Sequence, residues 1–127
     1  MGAEAWIHEE LSAFPAAVKD FQFMWNWYRW FVGDKMFAAI SLNRSGEEVF
    51  LNLKLEPLEG DFLRQQYEDI IPGYHMNKVH WNSVKLDGNV PDDVIRHMMA
   101  ESYRLVAKSL TKKARIQLGI EGKSCLS

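Results

Sequence analysis

Between residues 25 and 55 the apolar side chains fall into three short runs, separated by Gly33-Asp34 and by Asn43-Arg44-Ser45-Gly46. Runs of alternating side chains joined by such short turns leave room for little but an antiparallel meander, because a parallel crossover needs a dozen or more residues. The first run is Trp-Asn-Trp-Tyr-Arg-Trp-Phe-Val over residues 25–32. In the second, Lys35 to Leu42, Met36, Ala38, Ile40 and Leu42 alternate with Phe37, Ala39 and Ser41. The third, Glu48 to Leu55, sends Val49, Leu51, Leu53 and Leu55 to one face and Phe50, Asn52 and Lys54 to the other. The sheet is therefore expected to be packed on one side and partly wet on the other.

Helical spacing frames this meander. Trp6, Ile7, Leu11 and Phe14 predict a first helix over residues 4–14, closed by Pro15. Pro57 suits the first position of a second helix, in which Leu58, Phe62, Leu63 and Tyr67 follow at helical intervals. After the break at Ile71-Pro72-Gly73, residues 79–86 read as a further strand ended by Asp87-Gly88-Asn89. Pro91 opens the longest helix, with Asp92 and Asp93 at its positive end and Ile95, Met98, Met99, Ser102, Leu105, Val106 and Leu110 along one stripe. The order α-β-β-β-α-β-α predicts an α+β two-layer sandwich, an antiparallel sheet with helices on one face.

At 127 residues, 47% apolar and 25% charged, the chain has the size and composition of one globular domain, residues 1–127. Its single cysteine, Cys125, forms no internal disulfide and agrees with a reducing, cytoplasmic setting. The apolar stretch 21–32 is broken by Gln22, Asn26 and Arg29 and falls short of the ~20 residues that span a bilayer, so no membrane partner is expected. No phosphate-binding loop, dinucleotide fingerprint, nucleophile elbow or paired-cysteine zinc pattern occurs, and neither an enzymatic activity nor a cofactor is expected.

Charge is unevenly spread. Residues 1–77 hold 6 basic and 12 acidic side chains, and residues 78–127 hold 9 basic and 5 acidic. Such a polarised domain steers an anionic partner to one face or pairs two copies head to tail. Arg104, Lys108, Lys112 and Arg115 share one sector if the last helix runs on past Thr111; if Thr111 instead caps a separate helix, the stripe bends. A second cluster, His75-Met76-Asn77-Lys78-Val79-His80-Trp81, is a poor metal site, since its histidines are five apart and no Cys or carboxylate lies among them. Lys78 and Lys85 suit phosphates there, and the Trp81 indole suits a base. If Tyr28 and Trp30 face outward with Phe37 and Phe50, they make an apolar patch for a protein partner.

Taken together, Lys35-Met36-Phe37, Lys54-Leu55-Glu56-Pro57, the block from Pro72 to Asn82 and Ser102-Tyr103 resemble the MmcQ/YjbR family of small bacterial proteins. The likeness covers roughly residues 15–110 and leaves 111–127 as an extension. The family motif falls on Lys35, Lys54, His75, Asn77, Lys78, His80 and Trp81. One departure stands out: relatives tend to have Pro-Gly after the first helix, where this chain has Pro15-Ala16. The resemblance implies a frataxin-like (CyaY-like) or secretion-chaperone-like sandwich and a double-wing mode of DNA binding. The expectation is thus a non-enzymatic DNA-binding protein using Lys78, Lys85, Arg104, Lys108, Lys112, Lys113 and Arg115. The alternatives are a protein-interaction or chaperone-like module, alone or as a homodimer, that presents the open sheet face, and a small-molecule site around His75, His80 and Trp81.

Overall fold

The computed structural model describes residues 5–73 and 76–120. Its elements are α1 (Ala5–Ser12), β1 (Ala17–Gln22), β2 (Trp27–Val32), β3 (Lys35–Leu42), β4 (Glu48–Lys54), α2 (Pro57–Gln66), β5 (Ile70–Pro72), β6 (Trp81–Lys85), α3 (Asp92–Ser109) and α4 (Lys112–Gln117). The strands form one antiparallel sheet in the order β1-β2-β3-β4-β6-β5. The expected meander is its centre and the helices pack on one side, so the structure is an α+β sandwich as the sequence predicts.

The core lies between sheet and helices. Trp30, Ala38, Ile40, Leu51, Leu53 and Val84 point from the strands toward Ile7 and Leu11 of α1 and toward Ile95, Met98, Met99 and Val106 of α3, all of them buried. Of the stripe expected on the long helix, Ile95, Met98, Met99, Ser102 and Val106 are buried, Leu110 is buried just past the helix end, and Leu105 is half-buried. Trp30 reaches past this layer to donate its indole N–H to Ser12 Oγ at 2.9 Å.

A bulge decides where one aromatic goes. Pairing steps from Trp30↔Ala38 to Phe31↔Met36, leaving Phe37 as an extra residue on β3. An extra residue re-aims its side chain, and Phe37 joins the core, meeting the Phe14 and Tyr103 rings edge-on at 5.8 and 5.1 Å. At the same place the Ser102 hydroxyl donates to the Phe37 carbonyl at 2.6 Å and accepts from the Lys54 amide at 2.7 Å, joining β3 to β4.

At four points the structure adds to the expectations or decides between them. Strands β1 and β5 were not expected: β1 is a largely exposed edge strand without a buried alternation, and β5 has three residues. The long helix stops at Ser109, because Leu110 is extended and Thr111 caps α4 by accepting from the Ala114 amide at 3.0 Å. In α2, Leu58 and Phe62 are 85% and 61% exposed, whereas Gly60 and Leu63 are buried and Tyr67 packs beside them. Both pairs have helical spacing, but at 100° per residue they lie on opposite sides of the helix. Lastly, Tyr28, Trp30 and Phe37 face the helices, so the outward patch of Tyr28, Trp30, Phe37 and Phe50 does not form.

Candidate functional site

Among the described residues no helix covers the other side of the sheet, and the pairing register arranges its side chains in rows. One row runs Gln22, Trp27, Ser41, Phe50, Lys85. The middle row runs Asp20, Arg29, Ala39, Asn52, Ser83, Ile71. Beyond it stand Phe31 beside Met36, and Lys54 opposite Trp81. Small residues in the middle with large ones on both flanks make a groove. Its floor, Ala39, Asn52 and Ser83, is fully buried although no element lies over it, because the flanking aromatic side chains shield it.

That floor is polar and internally satisfied. Asn52 Nδ2 donates to the Ala39 carbonyl at 3.2 Å and to Ser41 Oγ at 3.1 Å, and Ser83 Oγ donates to Asn52 Oδ1 at 2.5 Å. A buried amide whose bonds are met is held in one rotamer, so the floor is a rigid base for the aromatic walls.

Trp25, Trp27, Met36, Met76, Asn77 and Trp81 enclose a cleft of about 550 Å³ above this floor. A second hollow of about 640 Å³ continues from Trp25 past Ser41 and Phe50 toward Asn43 and Arg44. Trp25 stands between the two, 55% exposed. The turn that carries it is fixed by Asn26, which adopts a left-handed backbone (φ 61°) and donates from Nδ2 to the Asn43 carbonyl at 3.0 Å. The Trp25 and Trp27 rings meet edge-to-face at 5.5 Å. Beside them Arg29 lies 5.5 Å from the Trp25 ring centre and 4.9 Å from that of Phe31. Two hydrogen bonds from Arg29 to Asp20, at 2.9 and 2.7 Å, hold the Asp20 carboxyl below the usual carboxylate range and raise the guanidinium.

The opposite wall is set by the motif block. Asn77 Oδ1 accepts from the Val79 and His80 amides at 2.9 and 3.3 Å, an Asx turn that returns the chain into β6. Lys78 Nζ donates to the Gly73 carbonyl at 2.9 Å and closes the loop. The Gly73 amide donates to the Trp81 carbonyl at 2.7 Å, and a Cβ at Gly73 would come within 2.8 Å of the Trp81 Cβ. Glycine at 73 is what lets β5 approach the base of the Trp81 side chain so closely. Among the described residues that line the cleft, none carries a group that titrates near neutral pH.

The candidate residues divide accordingly. Asn77 and Trp81 line the cleft, and Lys78 and His80 belong to the turn that supports it. Lys54 is the direct cross-strand neighbour of Trp81, and Lys85 is that of Phe50. Neither lysine has an ion-pair partner among the described residues. Lys35 is exposed at the start of β3, and His75 lies outside the described residues. The remaining cations sit elsewhere. Arg104 is bound to Glu101 at 2.8 Å, and Lys108 ends α3 on the outer surface of the helical layer. Lys112 and Lys113 open α4, and Arg115 donates to the Lys108 and Leu110 carbonyls, capping α3. The cationic stripe is therefore bent and in part spent on the fold. Sequence reasoning missed Trp25 and Trp27 as walls and the Ala39-Asn52-Ser83 floor. The signal was the small residue at the centre of three strands, readable only once their register is known.

Comparison with known proteins agrees with this architecture. The YjbR family model matches residues 12–105. The Escherichia coli K12 protein YjbR is 33% identical over 114 residues, covering 90% of this chain and 83% of its own. The Bacillus subtilis protein YyaQ is 41% identical over 66 residues, covering 52% of this chain and 55% of its own. A crystal structure of a Deinococcus radiodurans protein with a DUF419 domain superposes with a TM-score of 0.80 at 33% identity, covering 91% of this chain and 86% of that one. With the family model spanning most of the residues and the motif block forming one wall of the cleft, the chain belongs to the YjbR family.

Proposed function

We propose that this protein is a non-enzymatic DNA-binding protein that takes its partner on the uncovered face of the sheet. One observation carries the reading: the register places Lys54 and Lys85, neither with an acidic partner among the described residues, beside Trp81 and Phe50 on a face where Asp20 is already bound to Arg29. Cations beside half-buried aromatic rings suit a phosphate backbone and its bases. The double-wing mode implied by the family resemblance points to the same class of partner. The lining of the cleft favours binding over acid–base chemistry, since its described side chains are apolar or neutral amide.

The test is fluorescence anisotropy of labelled mixed-sequence DNA at roughly 50 and 200 mM salt. If Lys54, Lys85 and Lys78 each meet a phosphate, the counterion slope per contact predicts a loss of affinity of about 20- to 40-fold across that range. Reversing Lys54 and Lys85 together to Glu is expected to abolish binding while circular dichroism stays unchanged. DNA binding that is insensitive to both salt and this double variant would overturn the assignment to the sheet face.

A second reading rests on a different observation. Phe23 and Met24, at the tip of the β1-β2 hairpin, are 84% and 88% exposed and continue from an unpaired edge strand. Apolar exposure of that kind on a sheet edge marks a surface for a second copy of the chain. Sedimentation equilibrium showing a dimer that Met24→Lys dissociates would support it; a monomer at all concentrations removes it.

A further inference from the structure

We infer that the cleft between Trp25, Trp27 and Trp81 is a stacking site for one unpaired base, so that the protein prefers single-stranded DNA, or a nucleotide unit presented by itself, over a duplex. The inference rests on the nucleic-acid reading above and adds the chemistry of the contact. A paired base offers only its edge to a protein, whereas an unpaired one offers a π-face and its Watson–Crick edge.

Three features of the cleft match that ligand. Its walls are indole rings standing over a rigid, hydrogen-bonded floor, and its volume of about 550 Å³ lies within the range of small-ligand clefts. Asn77, the one side-chain amide among its described lining residues, has Oδ1 committed to the Val79 and His80 amides, so the group it offers is the Nδ2 donor, which suits the carbonyl or ring-nitrogen acceptors of a base. The cation beside it without an ion-pair partner among the described residues is Lys54, the cross-strand neighbour of Trp81, while Arg29, against Trp25, is already paired with Asp20. A cationic ligand is disfavoured there, whereas a flat heterocycle followed by a phosphate satisfies rings and lysine together. The hollow that continues past Trp25 toward Arg44 gives an adjoining nucleotide somewhere to go.

The test compares three probes on the full chain at low salt: a labelled oligothymidylate of roughly 12 nucleotides, a duplex of the same length, and thymidine monophosphate. The oligothymidylate is expected to bind more tightly than the duplex and to quench tryptophan fluorescence. Trp25→Ala, a change at an exposed turn, is expected to weaken the single strand roughly tenfold to a hundredfold. It should leave the duplex within twofold, and Trp25→Phe should restore most of the loss. Thymidine monophosphate binding as tightly as the oligomer, and lost in Trp25→Ala, would support the site with a free nucleotide as its source. Equal binding of strand and duplex, unaltered by Trp25→Ala, would overturn the stacking site while leaving DNA binding intact. No binding of any probe would overturn both readings.

Discussion

Ala16 occupies a left-handed backbone conformation, φ 62°, in the turn between α1 and β1. That region costs an L-residue roughly 1–2 kcal/mol, while glycine carries an unfolded-state entropy cost of roughly 0.5–1 kcal/mol. The turn is clasped from outside, since the Tyr103 hydroxyl donates to the Pro15 carbonyl at 2.7 Å. The residue at which this chain departs from the Pro-Gly that the family resemblance implies is thus one whose geometry asks for glycine. Ala16→Gly is expected to raise stability by up to about 1 kcal/mol, read as a higher denaturation midpoint with an unchanged slope. Asp20 supplies a second residue-level check. Its carboxyl is lowered by the hydrogen bonds from Arg29, so its contribution to stability is present above the ordinary carboxylate pKa and is lost as pH falls through the lowered one. An NMR titration should place the Asp20 midpoint below the usual value, and Arg29→Gln should return it. The pair is exposed, and its effect on total stability is expected to be small.

At the scale of elements, the hydroxyl of Ser102 has the largest structural consequence. It lies within the apolar stripe of α3 yet serves both edges of the β3-β4 seam at the Phe37 bulge. Removing it leaves a buried carbonyl and an amide without their partner, at about 1–3 kcal/mol each. Ser102→Ala is therefore expected to cost about 2–6 kcal/mol in chemical denaturation, far more than the loss of one exposed hydroxyl. The serine itself is visible in the sequence; that it faces a bulge is not, because the bulge is a property of two strands in register. Similar reasoning separates the helices. Most of the stripe of α3 was legible, because Ile95, Met98, Met99, Ser102 and Val106 at 3.6 spacing define one buried face. In α2 two apolar pairs compete, and the one that buries is chosen by Asn82: Arg64 bonds to its side chain and Gly60 packs against it. The edge strand β1 escaped notice because its register with β2, not its composition, makes it a strand.

For the whole molecule, the sandwich distributes the cations over two surfaces. Lys54 and Lys85 lie on the sheet face, while Lys108 lies on the outer side of the helical layer and Lys112 opens α4 beyond it. Charges separated by the thickness of the domain exceed the screening length of ~8–10 Å at physiological salt and act independently. Reversing Lys108 and Lys112 to Glu is accordingly expected to change DNA affinity less than roughly threefold, against abolition by the sheet-face pair. Abolition by the helical pair instead would move the interface to the other layer.

The sequence by itself determined what depends on neighbours along the chain: the meander, the core stripe of α3, the turn chemistry and the uneven charge. Side-chain period, capping and turn residues act within a few positions, so they are written locally. Tertiary structure alone decided which residues share a surface. The cleft draws Trp25 and Trp27 from one hairpin, Met36 from the next strand, and Asn77 and Trp81 from a block some fifty residues further along. Only the order β3-β4-β6 and its register bring them to one place, because strand pairing is settled by burial of the opposite face, and a shift of one residue would turn every one of these side chains inward.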